Sequence, residues 1–435
     1  EAWRGLGECH LAQGDRHSAA KALSRAQELA PNDARTLNDI ATILIQEKQH
    51  EGALSFLHGA VSNEPDFREA RLNLGVVLGH VSLPDQTSCY RPTLLLETLR
   101  WISQHAPDED RTELLLENQE LRSQLLQDYR DRFGDTNLRV LLHSPTIAMG
   151  ALSYIYESWQ QCLEFMGIPS TLVAVGDDIL SAVEEFRPTA ILSVDSEAVW
   201  GCLTSDILQR IRDCGAVVGL ASEFGENMHD ADFYITFHLH PERDHSIARR
   251  NKHVISLPFA FNPLIHYAVP ARTLWDYAFV GTNNALKEQE TGNYLIPIAT
   301  TYAGILAGTG WWGRYGNVTQ AEAGFLYNFA AICPNFHLRA QIETGNEVNE
   351  RTHVIAACGG FQLVDQPVAL REMYSEDELV SARSAAEYQE LFKYYLRQPA
   401  LRYEMAMRSM RVAWKSHSQF HRLTNLVQFL QEKHV

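Results

Sequence analysis

At 435 residues the chain is long enough for two or three domains, and its 45% hydrophobic and 21% charged content is that of an ordinary globular protein. Its 54 acidic residues against 37 basic ones give a formal net charge of −17, which argues against a nucleic-acid surface, since that needs a basic stripe.

The first eighty residues repeat themselves. Trp3, Leu6, Gly7, Ala19, Leu23, Ala26 and Pro31 recur 34 positions later as Leu37, Ile40, Ala41, Ala53, Leu57, Ala60 and Pro65. Small residues mark where paired helices cross, and proline follows each second helix. This period resembles the tetratricopeptide repeat (TPR). A third unit starts at Leu74-Gly75 and breaks at Ser82-Leu83-Pro84-Asp85. Because such arrays bury their faces against neighbours, more repeats are expected before Glu1. Arg4 and Asn38 hold equivalent first-helix positions that should line a concave groove, and Asn can bond extended backbone through both amide groups. A plainer reading makes the array a stabilising or dimerising appendage.

Two apolar helix faces between Arg91 and Phe133, separated by Ala106-Pro107-Asp108, read as a helical connector. From Asn137 strands and helices alternate with short loops: 137–145, 152–166, 170–175, 179–186, 190–194, 205–214 and 216–220. That alternation predicts a parallel, doubly wound sheet, whose ligands bind at the carboxyl ends of the strands. His143, Asp195 and Ser222-Glu223 fall at those ends. Phe237-His238-Leu239-His240, with His229, His245 and His253, invites a metal reading. No HExxH or ligand-plus-carboxylate spacing supports it. Pro258 to Pro270 reads as a linker to a second α/β half.

In that half, Asn349 to Val380 carries the most information. Asn349-Glu350-Arg351 opens a short helix, Cys358-Gly359-Gly360 ends it, and Phe361 to Val364 is a buried strand closed by Asp365 and Pro367. On spacing alone this is an ordinary helix-to-strand turn or a ligand-approach turn, and the residues do not choose between them.

The run R-T-x-x-x-A-A-C-G-G-F-Q-L-V-D resembles the donor-site signature of the CgeB-like branch of bacterial group 1 glycosyltransferases. Asp276 to Thr282, Gly308-Thr309-Gly310-Trp311 and Cys333-Pro334-Asn335-Phe336-His337 are similar to that family's other landmarks, in the same order. The resemblance runs from Asn137 to about Arg422. It implies a GT-B fold, two Rossmann-like halves facing a cleft, behind the all-α TPR-like region. The expected domains are 1–85 repeats, 86–136 connector, 137–262 acceptor half and 263–435 donor half, with the last helices crossing back to the first half.

The implied function is sugar transfer from a nucleotide-sugar donor to an acceptor, a protein or peptide presented by the repeats through Arg4 and Asn38. The nucleotide sugar is a co-substrate, and no cofactor or metal is expected. Gly281, Thr282, Lys287, Gly310, Trp311, Asn335, His337, Asn349, Arg351, Gly359 and Gly360 would bind the donor. Glu223 would be the general base of an inverting reaction, with His143 as a second catalytic candidate. Ser222-Glu223-Phe224 only partly matches the relatives' Thr-Glu-Ser-Pro-Tyr. One departure is sharper: His353-Val354 stands where the family has Phe-Glu, and that glutamate is expected to hold the nucleotide ribose. Either Glu347 or Glu350 substitutes, or the donor sits differently, or activity is lost. Competing functions are a degenerate scaffold or binding module, and a transferase acting on lipid or polysaccharide. The 7 cysteines are scattered without a CxxC pair, which points to a reducing cytoplasm rather than a disulfide framework. No apolar run reaches membrane-spanning length. Self-association stays open.

Overall fold

The computed structural model describes residues 1–80, 90–144, 152–194, 202–222, 231–243, 253–311 and 315–432. Five antiparallel-paired helices open it: α1 (Ala2–Ala12), α2 (Arg16–Leu29), α3 (Ala34–Gln46), α4 (His50–Asn63) and α5 (Arg68–Leu78). Aspartates start two of them. Asp15 accepts from the Ser18 N–H, and Asp33 accepts from the Thr36 N–H, each satisfying a donor that the helix leaves open. The small residues of the repeat are fully buried at the crossings, as with Ala19, Ala41 and Ala53. Gly7 faces the Leu23 side chain so closely that a Cβ would lie 2.6 Å from it.

After α6 (Tyr90–His105) and α7 (Thr112–Tyr129), the first sheet holds six parallel strands in the order β2-β1-β3-β4-β5-β6. They are β1 (Val140–Ser144), β2 (Ser170–Ala174), β3 (Ala190–Val194), β4 (Val217–Ser222), β5 (Phe233–Thr236) and β6 (Val254–Ser256), with α8 (Leu152–Phe165), α9 (Ile179–Phe186) and α10 (Ser205–Asp213) between them. Sequence alternation anticipates the first four strands. It misses β5 and β6, whose short runs are embedded in histidine- and aspartate-rich segments.

A second parallel sheet is built from β7 (Trp275–Val280), β8 (Gly304–Ala307), β9 (Ala330–Asn335), β10 (Gln362–Asp365) and β11 (Val380–Ala382). In it β7 pairs with β8 and with β9, and β10 pairs with β11. Its helices are α11 (Ile296–Thr301), α12 (Gln320–Tyr327), α13 (Arg339–Thr344), α14 (Glu350–Ala357) and α15 (Leu370–Met373). Three more close the chain: α16 (Ala385–Leu396), α17 (Pro399–Ser416) and α18 (Gln419–Glu432). Helical repeats followed by two parallel α/β sheets is the architecture expected from the sequence.

By contact the chain forms two compact units, 1–115 with 269–334, and 116–268 with 335–435. In the first unit the repeats do not end in an independent domain. Leu74, Val77 and Leu78 share one core with Ile102, Trp275, Ile305 and Phe329. The Trp275 indole donates to the Gly75 carbonyl at 2.9 Å, Gly304 N–H to the Gly79 carbonyl at 3.0 Å, and the Tyr315 hydroxyl to the Leu78 carbonyl at 2.9 Å. In the second unit α18 returns to the first sheet, as the resemblance implies. Phe420 stacks on Phe165 and Tyr129, and Phe429 lies against Phe233. The stretch Pro258 to Pro270, expected as a linker, contains fully buried Ala260, Phe261 and Asn262. Phe261 exchanges backbone bonds with His417 and Gln419.

Gly79 shows how tightly the repeats and the second sheet are joined, because a Cβ there would sit 2.2 Å from the Trp275 ring. Gly79→Ala is expected to lower stability by roughly 1–3 kcal/mol through overpacking. Chemical denaturation checks this; an unchanged midpoint would mean that the indole moves aside freely.

Candidate active site

The site grows from one short helix. Asn349 caps α14: its Oδ1 accepts the Thr352 N–H at 3.0 Å and the Thr352 hydroxyl at 2.9 Å. Its Nδ2 donates to Asn335 Oδ1 at 3.0 Å and to the Phe336 carbonyl at 3.1 Å. Asn335, fully buried at the end of β9, donates in turn to Thr352 Oγ1 at 2.8 Å and Gln362 Oε1 at 3.0 Å. Arg351 Nη1 reaches Asn335 Oδ1 at 3.3 Å. The end of β9, the start of α14 and the start of β10 thus meet in one hydrogen-bonded network, with Asn335 at the carboxyl end of its strand, where α/β sheets bind ligands.

Beside it, Asp365 at the end of β10 accepts both the backbone N–H and the ring Nδ1 of His337. An ionised carboxylate only accepts, so Nδ1 carries the proton. His337 is fully buried, and its Nε2 has no partner among the described residues.

Two carboxylates flank the network. Glu347, almost fully buried, accepts from Gln341 Nε2 at 2.8 Å and lies 3.7 Å from His238 Nε2. Glu350 is partly exposed as a residue, yet its Oε1 is buried without a partner among the described residues. Burial pushes its carboxyl up to about 7, against the opposing pull of Arg351. Val354, one turn on, is 3% exposed and sits in the core.

The donor-site glycines turn the chain. Gly359 has φ +67, and the N–H groups of Gly359 and Gly360 close the end of α14 on the carbonyls of Ala356 and Ile355. In the other unit, the Gly281 carbonyl accepts the Trp311 indole N–H at 2.7 Å, and Phe279 packs edge-on to that indole. Gly310, at φ +84, lets the Asn283 carbonyl approach to where a Cβ would lie 2.2 Å away. Thr282 is exposed beside this turn, and Lys287 ends a short 3-10 turn, Ala285–Lys287.

The structure therefore groups Asn335, His337, Asn349, Arg351, Gly359 and Gly360 in one unit, and Gly281, Gly310 and Trp311 in the other. Glu223 and Asp195, with the break at 82–85, lie outside the described residues. His143 is fully buried in β1, bonded through Nδ1 to the Ser193 hydroxyl at 2.9 Å, and burial lowers it to about 4. Among the histidines that invited a metal reading, His238 faces Glu347, and His240 lies between Glu242 and Glu372. In the repeats, Arg4 pairs with Glu8 at 2.7 Å and approaches Asp33 at 3.9 Å. Asn38 accepts from Asn73 Nδ2 at 2.9 Å. Sequence reading missed Asn73 because it stands one position off the 34-residue period. It missed the roles of Thr352, Gln362 and Asp365 because their polar groups act only once strand and helix meet.

Residues 293–428 match a family described as glycosyl transferase-like, and residues 1–33 match the tetratricopeptide repeat. The chain thus carries a glycosyl transferase-like segment and a tetratricopeptide repeat. No curated protein matches it. Among solved structures, a mutant O-GlcNAc transferase from Thermobaculum terrenum is 13% identical, with TM-score 0.41 over 99% of this chain and 96% of that one. Sucrose-phosphate synthase from Thermosynechococcus elongatus is 11% identical, with TM-score 0.49 over 68% and 99%. T4 phage BGT, solved with its UDP-glucose substrate, is 11% identical, with TM-score 0.47 over 68% and 98%.

Glu350 gives the site a pH signature. Its raised folded-state pKa means that the native chain keeps a proton which the unfolded chain releases between about pH 4.5 and 7. Its burial therefore costs stability increasingly through that window and fully above it. Glu350→Gln is expected to gain roughly 1–3 kcal/mol at pH 8 and almost nothing at pH 4.5. Equal melting shifts at both pH values would show the carboxyl to be solvated.

The buried histidines act in the opposite direction. Burial holds His143 at about 4, and burial with the Arg422 charge holds His417 at about 3. The stability tied to their neutral forms is complete above their unfolded pKa of about 6.5 and is lost as pH falls below it. Each is expected to withdraw on the order of 3 kcal/mol by pH 4. Thermal melts from pH 7 to 4 read this as a steady fall. His417→Gln should flatten it.

Proposed function

We propose that the chain is a glycosyltransferase of the CgeB-like group, moving a hexose or related sugar from a nucleotide-sugar donor to a protein or peptide segment laid along the repeats. The supporting observation is the network that joins Asn335, Asn349, Arg351, Thr352 and Gln362 at the end of β9, within the stretch that matches the glycosyl transferase-like family. Arg351 and the start of α14 would face the donor diphosphate, a helix N-terminus and a guanidinium both favouring phosphate. They would stabilise the charge left on the diphosphate as the sugar departs, chemistry that requires no metal. Glu223 would be the base of an inverting reaction. In the repeats, the bonded pair Asn38 and Asn73 supports a peptide groove, since amide side chains can pair with extended backbone. The six described cysteines are all free, which fits a reducing compartment such as the cytoplasm. Among the described residues no helix is long and apolar enough to cross a membrane.

A scaffold that has lost catalysis is the second reading, and the apolar, buried Val354 favours it. A panel of nucleotide sugars decides between the two: hydrolysis of one donor by the pure protein supports the enzyme, and binding without turnover supports the scaffold. Arg351→Ala is expected to weaken donor binding by roughly 1.5–3 kcal/mol without unfolding the chain. Calorimetry giving wild-type affinity for a folded variant would remove Arg351 from the site.

A further inference from the structure

The run Phe237-His238-Leu239-His240, just after β5, lies against the loop that leads into α14. Phe237 anchors the run on the side of the first sheet, stacked on Phe259 at 4.5 Å, and the Ser256 hydroxyl donates to the His238 carbonyl at 2.6 Å. The next two residues pair with Asn346. The Leu239 N–H donates to the Asn346 carbonyl at 2.8 Å, and the His240 N–H donates to Asn346 Oδ1 at 2.8 Å. Asn346 Nδ2 donates in return to the His240 carbonyl at 2.7 Å. Asn346 is 4% exposed, so water competes little for these bonds. Beside them His238 lies 3.7 Å from the buried Glu347. At the exposed rim, Glu372 of α15 pairs with His240 Nε2 and, at 3.0 Å, with Arg243 Nη1.

Asn346 stands three positions before Asn349, which caps α14 and bonds Asn335. Three residues reach at most roughly 10–11 Å, so little slack separates the two asparagines. On the other side, Gly345 at φ +61 ends α13, and its carbonyl accepts the Ala369 N–H at 2.8 Å. With both sides held, a shift of the 239–240 backbone passes along the loop to Asn349. We propose that Asn346 is a positioning residue: its pairing with residues 239–240 sets the start of α14, so that affinity for the nucleotide sugar depends on a contact made by the first sheet. This rests on the glycosyltransferase reading above, and it adds a residue outside the groups that would contact the donor.

The test uses the full chain, with the four ribonucleoside diphosphates and their glucose esters titrated by calorimetry alongside thermal melts. Asn346→Ala deletes both side-chain bonds, and Glu372→Ala cuts only the exposed ties to His240 and Arg243. Asp232→Ala is the control: it removes the acceptor of Arg212 and of the Val218 N–H just before β5, at the opposite end of that strand. All three are expected to melt below the wild type. Asn346→Ala is expected to bind the preferred glucose ester about ten-fold more weakly. Glu372→Ala is expected to bind it about three-fold more weakly, and Asp232→Ala with wild-type affinity. If Asn346→Ala does not fold, Glu372→Ala decides alone. Wild-type affinity in the folded variants at 346 and 372 overturns the proposal and leaves the glycosyltransferase reading standing. Equal weakening in the Asp232 control does the same, because it marks a general loosening of the fold. A wild-type chain that binds none of the probes overturns that reading, and this inference with it.

Discussion

The second unit depends on burying an eight-residue helix on nearly every side. From Thr352 to Ala357 every residue of α14 is buried, so water has little access to the helix beyond its first turn. Each end must find partners inside the protein. At the N-terminus Asn349 does so, and it draws in Asn335, Thr352 and Gln362. At the C-terminus the Ala357 carbonyl accepts from Asn118 at 2.7 Å and Trp414 at 3.1 Å, so α7 and α17 are fixed by the same need. The Gly359 turn is part of that closure. Its amides face helix carbonyls, and the glycines act here as a helix end before they can act as a ligand surface.

In the first unit the comparable constraint is steric. Glycines 75 and 79 stand where the last repeat helix meets the Leu274 and Trp275 side chains, and any larger residue would collide with them. The tryptophan replaces the lost packing and bonds the Gly75 carbonyl in addition. The repeats are therefore continuous with the hydrophobic core around β7 and β8.

Much of this was legible in the sequence. The 34-residue period placed helix crossings at Ala19, Ala41 and Ala53, and a capping Asn followed by a glycine pair bounded α14 to within a residue. Both signals are local, since a cap and a positive-φ turn depend on neighbours in the chain. β5 and β6 escaped because four- and three-residue strands give alternation too little length to register. The Asp365–His337 pair escaped for a different reason: 28 positions separate the two, and only the parallel arrangement of strand ends brings them together. Glu347 and Glu350 looked interchangeable as substitutes for a carboxylate at 354. Folding separates them, because Glu347 is taken up by Gln341 and His238 while Glu350 keeps an unpaired oxygen.

Burial also shapes the charge around α14. Arg422 donates to the Pro258 and Ser416 carbonyls and to His417 Nδ1, and no carboxylate among the described residues pairs with it. Burial lowers it to about 10, which still leaves it charged at neutral pH. Its field adds to burial in keeping His353 and His417 neutral. The imidazoles thus act as polar packing around one retained cation and do not multiply it. In a chain of formal charge −17, Arg422 keeps a positive charge beside the neutral His353 and His417. Local potential is set by the nearest unscreened charges and not by the net count, so an acidic protein can still hold a cation in its interior.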